Sequence, residues 1–245
     1  MSLKIQIASD LHFEFGDKEY KSSIIKKLAE TDSDVLVLAG DICSRKDIFE
    51  TLKDFSNTFE SIVYVTGNHE HYGTHIDKIR DIRNDVLDSF SNVHWLDNSK
   101  CEIKEQRFVG CTLWFSFDKL NQLYEKEMND FRSILNFREW VYKENLASVD
   151  YLEDTVCEND IVVTHHLPSN KCVHDNYKNS ELNRFFVCDM TRLIEKRTPK
   201  LFISGHTHTS YNFLINSTRM LCNPLGYPGE YKSGEKFDFA KIIEI

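Results

Sequence analysis

One stretch of this 245-residue sequence reads Leu201-Phe202-Ile203-Ser204-Gly205-His206-Thr207-His208. Residues 201–203 have the apolar and β-branched content of a short strand. The glycine after them permits a tight turn and a close backbone approach. Imidazole rings are common ligands of transition-metal ions. The stretch therefore predicts a strand that ends in two candidate metal ligands.

The same combination of an apolar run and metal-binding side chains occurs four more times before residue 201. These clusters are Asp10-Leu11-His12, Gly40-Asp41, Gly67-Asn68-His69-Glu70 and Thr164-His165-His166. Together the five clusters supply two carboxylates, one amide and four imidazoles, which can hold two divalent cations side by side. The seven candidate metal ligands are Asp10, His12, Asp41, Asn68, His165, His206 and His208.

The order of apolar runs predicts an α/β fold. Strands are expected at residues 5–8, 35–39, 62–65, 93–96, 108–115, 161–163, 201–203 and 220–222. Helices with three- and four-residue apolar spacing are expected at residues 22–30, 46–57 and 75–90. This alternation indicates parallel crossovers, so that strand ends at one sheet edge would collect the candidate ligands. We expect a four-layer α-β-β-α sandwich of two mixed sheets flanked by helices.

Four other regions give weaker signals. The runs within residues 93–115 and 220–245 lie close together, which favours antiparallel pairing. Apolar and aromatic residues at helical spacing predict one long or broken helix within residues 119–153. Residues 168–186 are polar and directly follow the His165 cluster, so they are expected to form a loop that overhangs the site.

Length and charge limit the possible partners. A chain of this length can bury one core, so residues 1–245 are expected to form a single domain. The 39 acidic and 30 basic residues give a formal net charge of −9, without the basic stripe of a protein that binds long nucleic acids. We therefore expect a small phosphorylated substrate, although a short oligonucleotide near the metals stays open.

The cysteines and the amino terminus favour a cytoplasmic location. Seven scattered cysteines without a C-x-x-C pair are typical of reduced thiols and not of a disulfide framework. The first residues contain neither a secretory signal nor a membrane span, so no membrane partner is expected. Oligomeric state cannot be inferred from this sequence.

The ordered clusters resemble those of the calcineurin-like metallophosphoesterases, whose pattern is D-x-H, G-D, G-N-H-D/E, H and G-H-x-H. Residues 110–114, 128–132, 163–168 and 222–227 look like a compact bacterial and phage branch of that superfamily. The resemblance implies that one metal is bound by Asp10, His12, Asp41 and His208. It implies that Asp41, Asn68, His165 and His206 bind the other, with Asp41 bridging.

Chemistry supports these roles, because the two carboxylate oxygens of Asp41 can span cations about 3.5 to 4 Å apart. A hydroxide between the cations would attack phosphorus in line, and we assign His69 to the leaving group as a proton donor or hydrogen-bond donor. Asp41 or Glu70 is expected to orient His69. The nitrogen and oxygen ligands admit manganese, iron, zinc, cobalt or nickel, of which manganese or iron is the prediction.

Several residues are candidates for substrate contact. Asn68, His69 and His166 are the first of these, with structural packing as the alternative for His166. His71 and His75 are expected to be solvated loop residues. Other residues that could reach a substrate or line its pocket are Asn129, Asp130, Arg132, Asn223 and Tyr227.

The predicted function is a dinuclear metal-dependent phosphoesterase that acts on a small phosphomonoester or phosphodiester. A nuclease, a cyclic-nucleotide phosphodiesterase or a protein phosphatase could use the same site. A non-catalytic metal-binding interaction module is the alternative from another class, but it predicts missing ligands or a replaced His69. The sequence does not identify the substrate.

Overall fold

A computed structural model describes residues 2–230 and 236–245, whose strands form two sheets. The first sheet contains β1 (Lys4–Ala8), β2 (Val35–Ala39), β3 (Ile62–Val65), β4 (Val93–Trp95) and β11 (Ile242–Glu244). Its strand order is β11-β1-β2-β3-β4. Strands β1 to β4 are parallel, and β11 pairs with β1 in the antiparallel direction.

The second sheet has the order β5-β6-β7-β8-β10-β9. Its strands are β5 (Ser99–Ile103), β6 (Gln106–Cys111), β7 (Ile161–Thr164), β8 (Leu201–Ile203), β9 (Tyr211–Ile215) and β10 (Thr218–Cys222). The four central strands are parallel, and the two edge strands, β5 and β9, are antiparallel to their neighbours. Both sheets are therefore mixed, and the predicted α/β class is confirmed.

The helices lie on the outer faces of the sheets. They are α1 (Lys18–Leu28), α2 (Ile48–Ser56), α3 (Ile76–Ser89), α4 (Asn121–Tyr124), α5 (Asp130–Ser133), α6 (Phe137–Thr155) and α7 (Thr191–Arg197). Side chains of α1, α2 and α3 pack on the first sheet, and those of α6 and α7 pack on the second. Among the described residues, no helix has both the length and the apolar character needed to cross a membrane.

Alternating side chains on each strand build the layers. In β2, Val35 and Val37 point between the two sheets, whereas Leu36 and Leu38 point towards the helices. In β7, Val163 points between the sheets and Val162 points outwards. Because both faces of these strands are buried, their sequences are continuous apolar runs. The core thus produces the four-layer α-β-β-α sandwich.

The structure corrects several local predictions. Strand β4 is parallel to β3 and belongs to the first sheet, so residues 93–115 do not form one antiparallel unit. The strand expected at residues 108–115 ends at Cys111, and both Leu113 and Trp114 beyond it have left-handed backbone angles. Residues 119–153 form the broken alternative, as α4, a 3₁₀ turn, α5 and α6.

Candidate metal centre

The sheets bring the seven candidate ligands together at their carboxyl edges. Asp10 and His12 follow β1, Asp41 follows β2 and Asn68 follows β3. From the second sheet, His165 follows β7, and His206 and His208 follow β8. All seven side chains are buried except that of His208, which is partly exposed. We call these seven residues the ligand floor.

The backbone of the ligand floor adopts conformations that are rare outside glycine. The φ angles are positive at Asp10 (52°), His12 (47°), Asp41 (54°), His206 (69°) and His208 (48°). Non-glycine residues pay roughly 1 kcal/mol or more for such angles, which therefore cluster where the surrounding structure enforces them. The side chains of Asp10 and His12 are therefore not aligned by the alternation of a regular strand. Left-handed turns after the strands direct their side chains.

Long-range hydrogen bonds hold these turns. The amides of Asp10 and His12 donate to the carbonyls of Gly40 (2.9 Å) and Asp41 (3.0 Å). The amide of His206 donates to both carboxylate oxygens of Asp10, at 3.0 and 3.1 Å. The loop after β8 is thereby joined to the loop after β1, so the two sheets share one site.

Glu70 ties two of the loops together. Its carboxylate accepts hydrogen bonds from the amides of Asp41 (3.0 Å), Ile42 (2.7 Å) and Gly67 (2.7 Å). Burial and the neighbouring Asp41 carboxylate raise the pKa of Glu70. Glu70 therefore fixes the backbone beneath Asp41 and makes no recorded bond to His69, which it was predicted to orient.

Gly67 illustrates how closely the loops approach. A Cβ atom at this position would lie 2.1 Å from Asp41 Oδ1 and 2.7 Å from the His165 ring. A contact this short to a buried carboxylate would require the ligand itself to move. The Asp41 side chain can therefore occupy its observed position only because residue 67 is a glycine.

Three overlapping groups of side chains lie close enough to hold a metal ion. They are Asp10, His12 and His208; His12, Asp41 and His69; and Asp41, His165 and His206. In the first group, Nε2 of His208 lies 3.0 Å from Nε2 of His12 and 3.6 Å from Asp10 Oδ1. Asp41 Oδ2 is 3.9 Å from His12 Nε2, which belongs to the first group, and 3.5 Å from His165 Nε2, which belongs to the third. The Asp41 carboxylate therefore lies between these two imidazoles.

The imidazole rings direct their Nε2 atoms towards these groups. Nδ1 of His12 contacts Glu14 Oε1 (3.1 Å), Nδ1 of His165 contacts the Ala39 carbonyl (2.9 Å), and Nδ1 of His208 contacts Glu230 Oε2 (2.7 Å). Because these oxygens only accept, each Nδ1 carries a proton, so Nε2 is the nitrogen that would bind a metal ion once it is deprotonated. The Nε2 of His206 is buried without a hydrogen-bond partner. The donor set therefore fits divalent metal ions.

A separate network orients the Asn68 amide. Its Nδ2 donates to Asp130 Oδ1 (2.9 Å), and the Tyr72 hydroxyl donates to the same oxygen (2.8 Å). This arrangement turns Oδ1 of Asn68 towards His165 Nε2, 3.2 Å away. Asp130, considered from sequence as a substrate contact, instead orients a candidate ligand, and Arg132 bonds to Asn129.

His69 lies beside the ligand floor between a carboxylate and a phenol. Its Nδ1 donates to Glu14 Oε1 at 2.8 Å, and its Nε2 is 3.2 Å from the Tyr227 hydroxyl and 3.9 Å from Asp41 Oδ2. The Tyr72 ring stacks on it at 4.4 Å. Burial opposes protonation, but Asp41 and Glu14 raise the pKa of His69 to about 9.

Glu14 is the functional candidate that sequence reasoning missed. It lies in a short 3₁₀ turn, Phe13–Phe15, and contacts both His12 and His69. Burial opposes ionisation, but these two imidazoles lower the pKa of Glu14. Its position two residues after His12 was the only available signal, since Glu14 is not part of the D-x-H motif that precedes it.

The electrostatics of the ligand floor centre on Asp41. Although burial favours its neutral form, the charges of His165 and His69 lower its pKa. Reciprocally, Asp41 raises the pKa of His165 to about 9 against the effect of burial. Asp41 is therefore ionised in its buried position, as a bridging carboxylate must be.

The remaining histidines lie outside the ligand floor. His166 is fully buried, with its ring 4.3 Å from that of His206 and 5.2 Å from that of Trp114. His71 is buried against Trp114 and Trp140, so its prediction as a solvated residue is wrong. Half-exposed His75 caps α3. Substrate contact by His166 stays a prediction.

A cavity of about 440 Å³ opens from the ligand floor. Residues 168–186, the overhanging segment, cover it with the short 3₁₀ helices Asn170–Cys172, Asp175–Tyr177 and Glu181–Phe185. Tyr227 also lines the cavity. Asn223 does not act there: its amide donates to the carbonyls of Ile7 (2.7 Å) and Asp238 (2.9 Å) and so ties the carboxyl-terminal part to β1.

Fold and site together define a metallophosphoesterase. The family model for calcineurin-like phosphoesterase matches residues 3–210, and the chain belongs to that metal-dependent family. The resemblance inferred from sequence is thus confirmed, and its assignment to a bacterial and phage branch stays a prediction.

Known relatives extend this result. An uncharacterised protein, L509, of Acanthamoeba polyphaga mimivirus is 26% identical over 274 residues, covering 98% of this chain and 97% of that protein. The phosphopantetheinyl hydrolase of Mycobacterium tuberculosis is similar in structure, with a TM-score of 0.71 at 16% identity over 93% of this chain and 90% of that one. A dimetal phosphatase from Danio rerio has a TM-score of 0.52 at 12% identity, over 90% and 86%. At these identities the two structures support the fold.

Proposed function

We propose that this protein is a dinuclear metal-dependent phosphoesterase that hydrolyses a small phosphomonoester or phosphodiester. The observation that carries the proposal is the convergence of Nε2 atoms from both sheets on the ionised Asp41 carboxylate. We assign Asp10, His12, Asp41 and His208 to one cation, and Asp41, Asn68, His165 and His206 to the other. Manganese or iron is expected, with zinc, nickel or cobalt also compatible with nitrogen and oxygen donors.

When bound, the two cations would activate a water for in-line attack and stabilise charge on the phosphoryl oxygens. The protein supplies the geometry. Asp41 directs its Oδ2 towards the imidazoles of both sheets, His12 and His165, while its Oδ1 accepts the His69 amide at 2.8 Å. Asp130 keeps the Asn68 oxygen directed inwards. Reorganisation during the reaction is reduced because these groups are buried and already oriented.

His69 is placed to act on the leaving group. Glu14 holds its Nδ1 proton, which directs Nε2 into the cavity beside Tyr227. A proton on Nε2 can then be donated to the departing oxygen as the bond to phosphorus breaks. Asn68 and His69 both line the cavity, so both are proposed to contact the substrate.

The interaction-module alternative predicts a lost ligand or a replaced His69. All seven ligands and His69 are present and clustered, which supports an enzyme. The cysteines are scattered and include no C-x-x-C pair, which is typical of reduced thiols and supports the proposed cytoplasmic location. Small phosphorylated molecules remain the proposed partners.

The test is hydrolysis by protein that has been stripped of metal and resupplied separately with manganese, iron, zinc, nickel or magnesium. Chromogenic phosphomonoesters and phosphodiesters are compared for each cation. We expect turnover that requires added metal and is lost in Asp41→Asn, because the bridge becomes a neutral amide. Bound metal without turnover of either ester class would contradict the proposal.

A further inference from the structure

The cavity beside the ligand floor has an apolar side. Leu167, Val173, Leu182 and Phe186 line it from the overhanging segment and its neighbour β7, and Met128 lines it from the region before α5. The Phe186 ring lies 4.4 Å from the ring of His206, so apolar surface begins directly beside a candidate ligand. A phosphate bound at the ligand floor would therefore place its organic group against this surface.

The charged residues around the cavity are acidic. Within residues 2–230 and 236–245, no lysine or arginine lines it, whereas Glu127, Asp130 and Glu230 do. Glu127 is exposed at its rim, and Glu230 accepts from His208. Beyond the cations and the His69 imidazole beside them, the described part of the cavity offers no positive side chain to a second anionic group.

Basic side chains of the overhanging segment are paired with carboxylates. Lys178 contacts Asp175 at 2.6 Å, and Lys171 contacts Glu195 at 3.7 Å. Arg184 contacts Glu181 at 2.6 Å and lies over the Tyr124 ring. These groups would have to abandon existing partners before binding a substrate anion.

We infer that the cavity selects phosphoesters that carry one phosphate and an organic group that is apolar or cationic, and rejects those with a second anionic group. This inference rests on the proposed function and specifies the substrate class of the same site. A second carboxylate or phosphate would be desolvated beside acidic side chains without a counter-ion, which is unfavourable. An apolar group would instead bury its surface against Val173, Leu182 and Phe186. A volume of about 440 Å³ admits a substituted ring.

Three esters of nearly equal size isolate the effect of charge. They are 4-ethylphenyl phosphate, 4-(aminomethyl)phenyl phosphate and 4-(carboxymethyl)phenyl phosphate, in which a methylene separates the varied group from the ring. We expect kcat/KM for the carboxymethyl ester to be about tenfold lower than for the ethyl ester, and that of the aminomethyl ester to be equal or higher. Binding of the three matching arylphosphonates to the metal-loaded protein, measured by calorimetry, should follow the same order.

A charge reversal at the rim tests whether the cavity causes this order. Glu127→Lys should reduce the penalty of the carboxymethyl ester, expressed as its kcat/KM relative to that of the ethyl ester with the same variant, by about threefold. Glu158→Lys is the matched control, because Glu158 is exposed and precedes β7 at the opposite sheet edge. Glu158→Lys should leave the penalty of the carboxymethyl ester the same as in the parent protein.

The outcomes separate the two proposals. Turnover of all three esters within about twofold, or an equal response to Glu127→Lys and Glu158→Lys, would overturn the substrate class and leave the phosphoesterase intact. Failure of every ester to turn over with any cation, and of every phosphonate to bind, would overturn both.

Discussion

The ligand floor and the overhanging segment lie on opposite sides of one cavity, yet different interactions hold them. In the ligand floor, hydrogen bonds join residues far apart in sequence, such as Asp10 and His206. In the overhanging segment, the hydrogen bond that caps each 3₁₀ helix is local: a side chain accepts from the backbone amide two residues further along the chain. The capping side chains are those of Ser169, His174 and Ser180. Substitutions in the ligand floor should therefore affect metal binding and stability, and those in the segment should affect substrate affinity alone.

The largest expected effect is at His69, beside the ligand floor. His69→Ala should reduce turnover by about 10²- to 10⁴-fold, and most for esters with poor leaving groups, because the proton donor is lost. Measurement of kcat for aryl phosphates of graded leaving-group pKa tests this. The control is His75→Ala, which removes an imidazole outside the cavity. Loss of bound metal in His69→Ala would show instead that the cluster of His12, Asp41 and His69 holds a cation.

Glu70→Gln tests whether the ligand floor depends on long-range bonds. In this variant an NH₂ group replaces one of the two oxygens that accept hydrogen bonds from backbone amides. Two donors would then face each other and a buried amide would lose its acceptor, so the free energy of unfolding should fall by about 1–3 kcal/mol. Urea denaturation of the metal-free protein measures it. The exposed control Glu158→Gln should change it by less than about 0.5 kcal/mol. Equal values for the two variants would refute the role of Glu70.

A smaller effect is expected at Glu14, which positions His12 and His69. Glu14→Gln should lower both metal affinity and turnover by about tenfold, because the neutral amide oxygen accepts the two Nδ1 protons more weakly than the carboxylate does. In a double-mutant cycle on turnover, the substitution should cost less when His69 is already alanine. Full additivity, with unchanged metal affinity, would contradict a positioning role.

Tyr177→Ala in the overhanging segment should have the smallest effect. Tyr177 is 54% exposed and lines the cavity, so its loss should raise KM by about threefold without changing kcat. The unfolding free energy should stay within about 0.5 kcal/mol of the parent. Leu146→Ala, at an equally exposed position on α6, is the control. A fall in kcat or in bound metal would remove the distinction between the two regions.

The same distinction explains what the sequence could predict. Central strands such as β2 and β7 are buried on both faces, so they are continuous apolar runs. These runs, and the clusters of candidate ligands after them, could be recognised from sequence alone. The edge strands β5 and β9 alternate between half-buried and exposed residues, with one buried residue at the end of each, and were missed.

Contacts between distant parts of the chain were not predictable from sequence. Glu14 and Asp130 act through partners brought near by tertiary packing, at His69 and Asn68. Likewise, the parallel pairing of β4 depends on which sheet its neighbours join. Local pattern identified the candidate ligands, but the residues that orient them could be found only from the fold.

The 2.1 Å approach of a hypothetical Cβ at Gly67 to Asp41 has a consequence for recognising degenerate relatives. A homologue that keeps every candidate metal ligand but carries alanine at this position would have to displace the carboxylate that corresponds to Asp41. Such a chain would pass a search for conserved ligands and yet be inactive. Glycines beneath the ligands are therefore as diagnostic of a working enzyme as the ligands themselves.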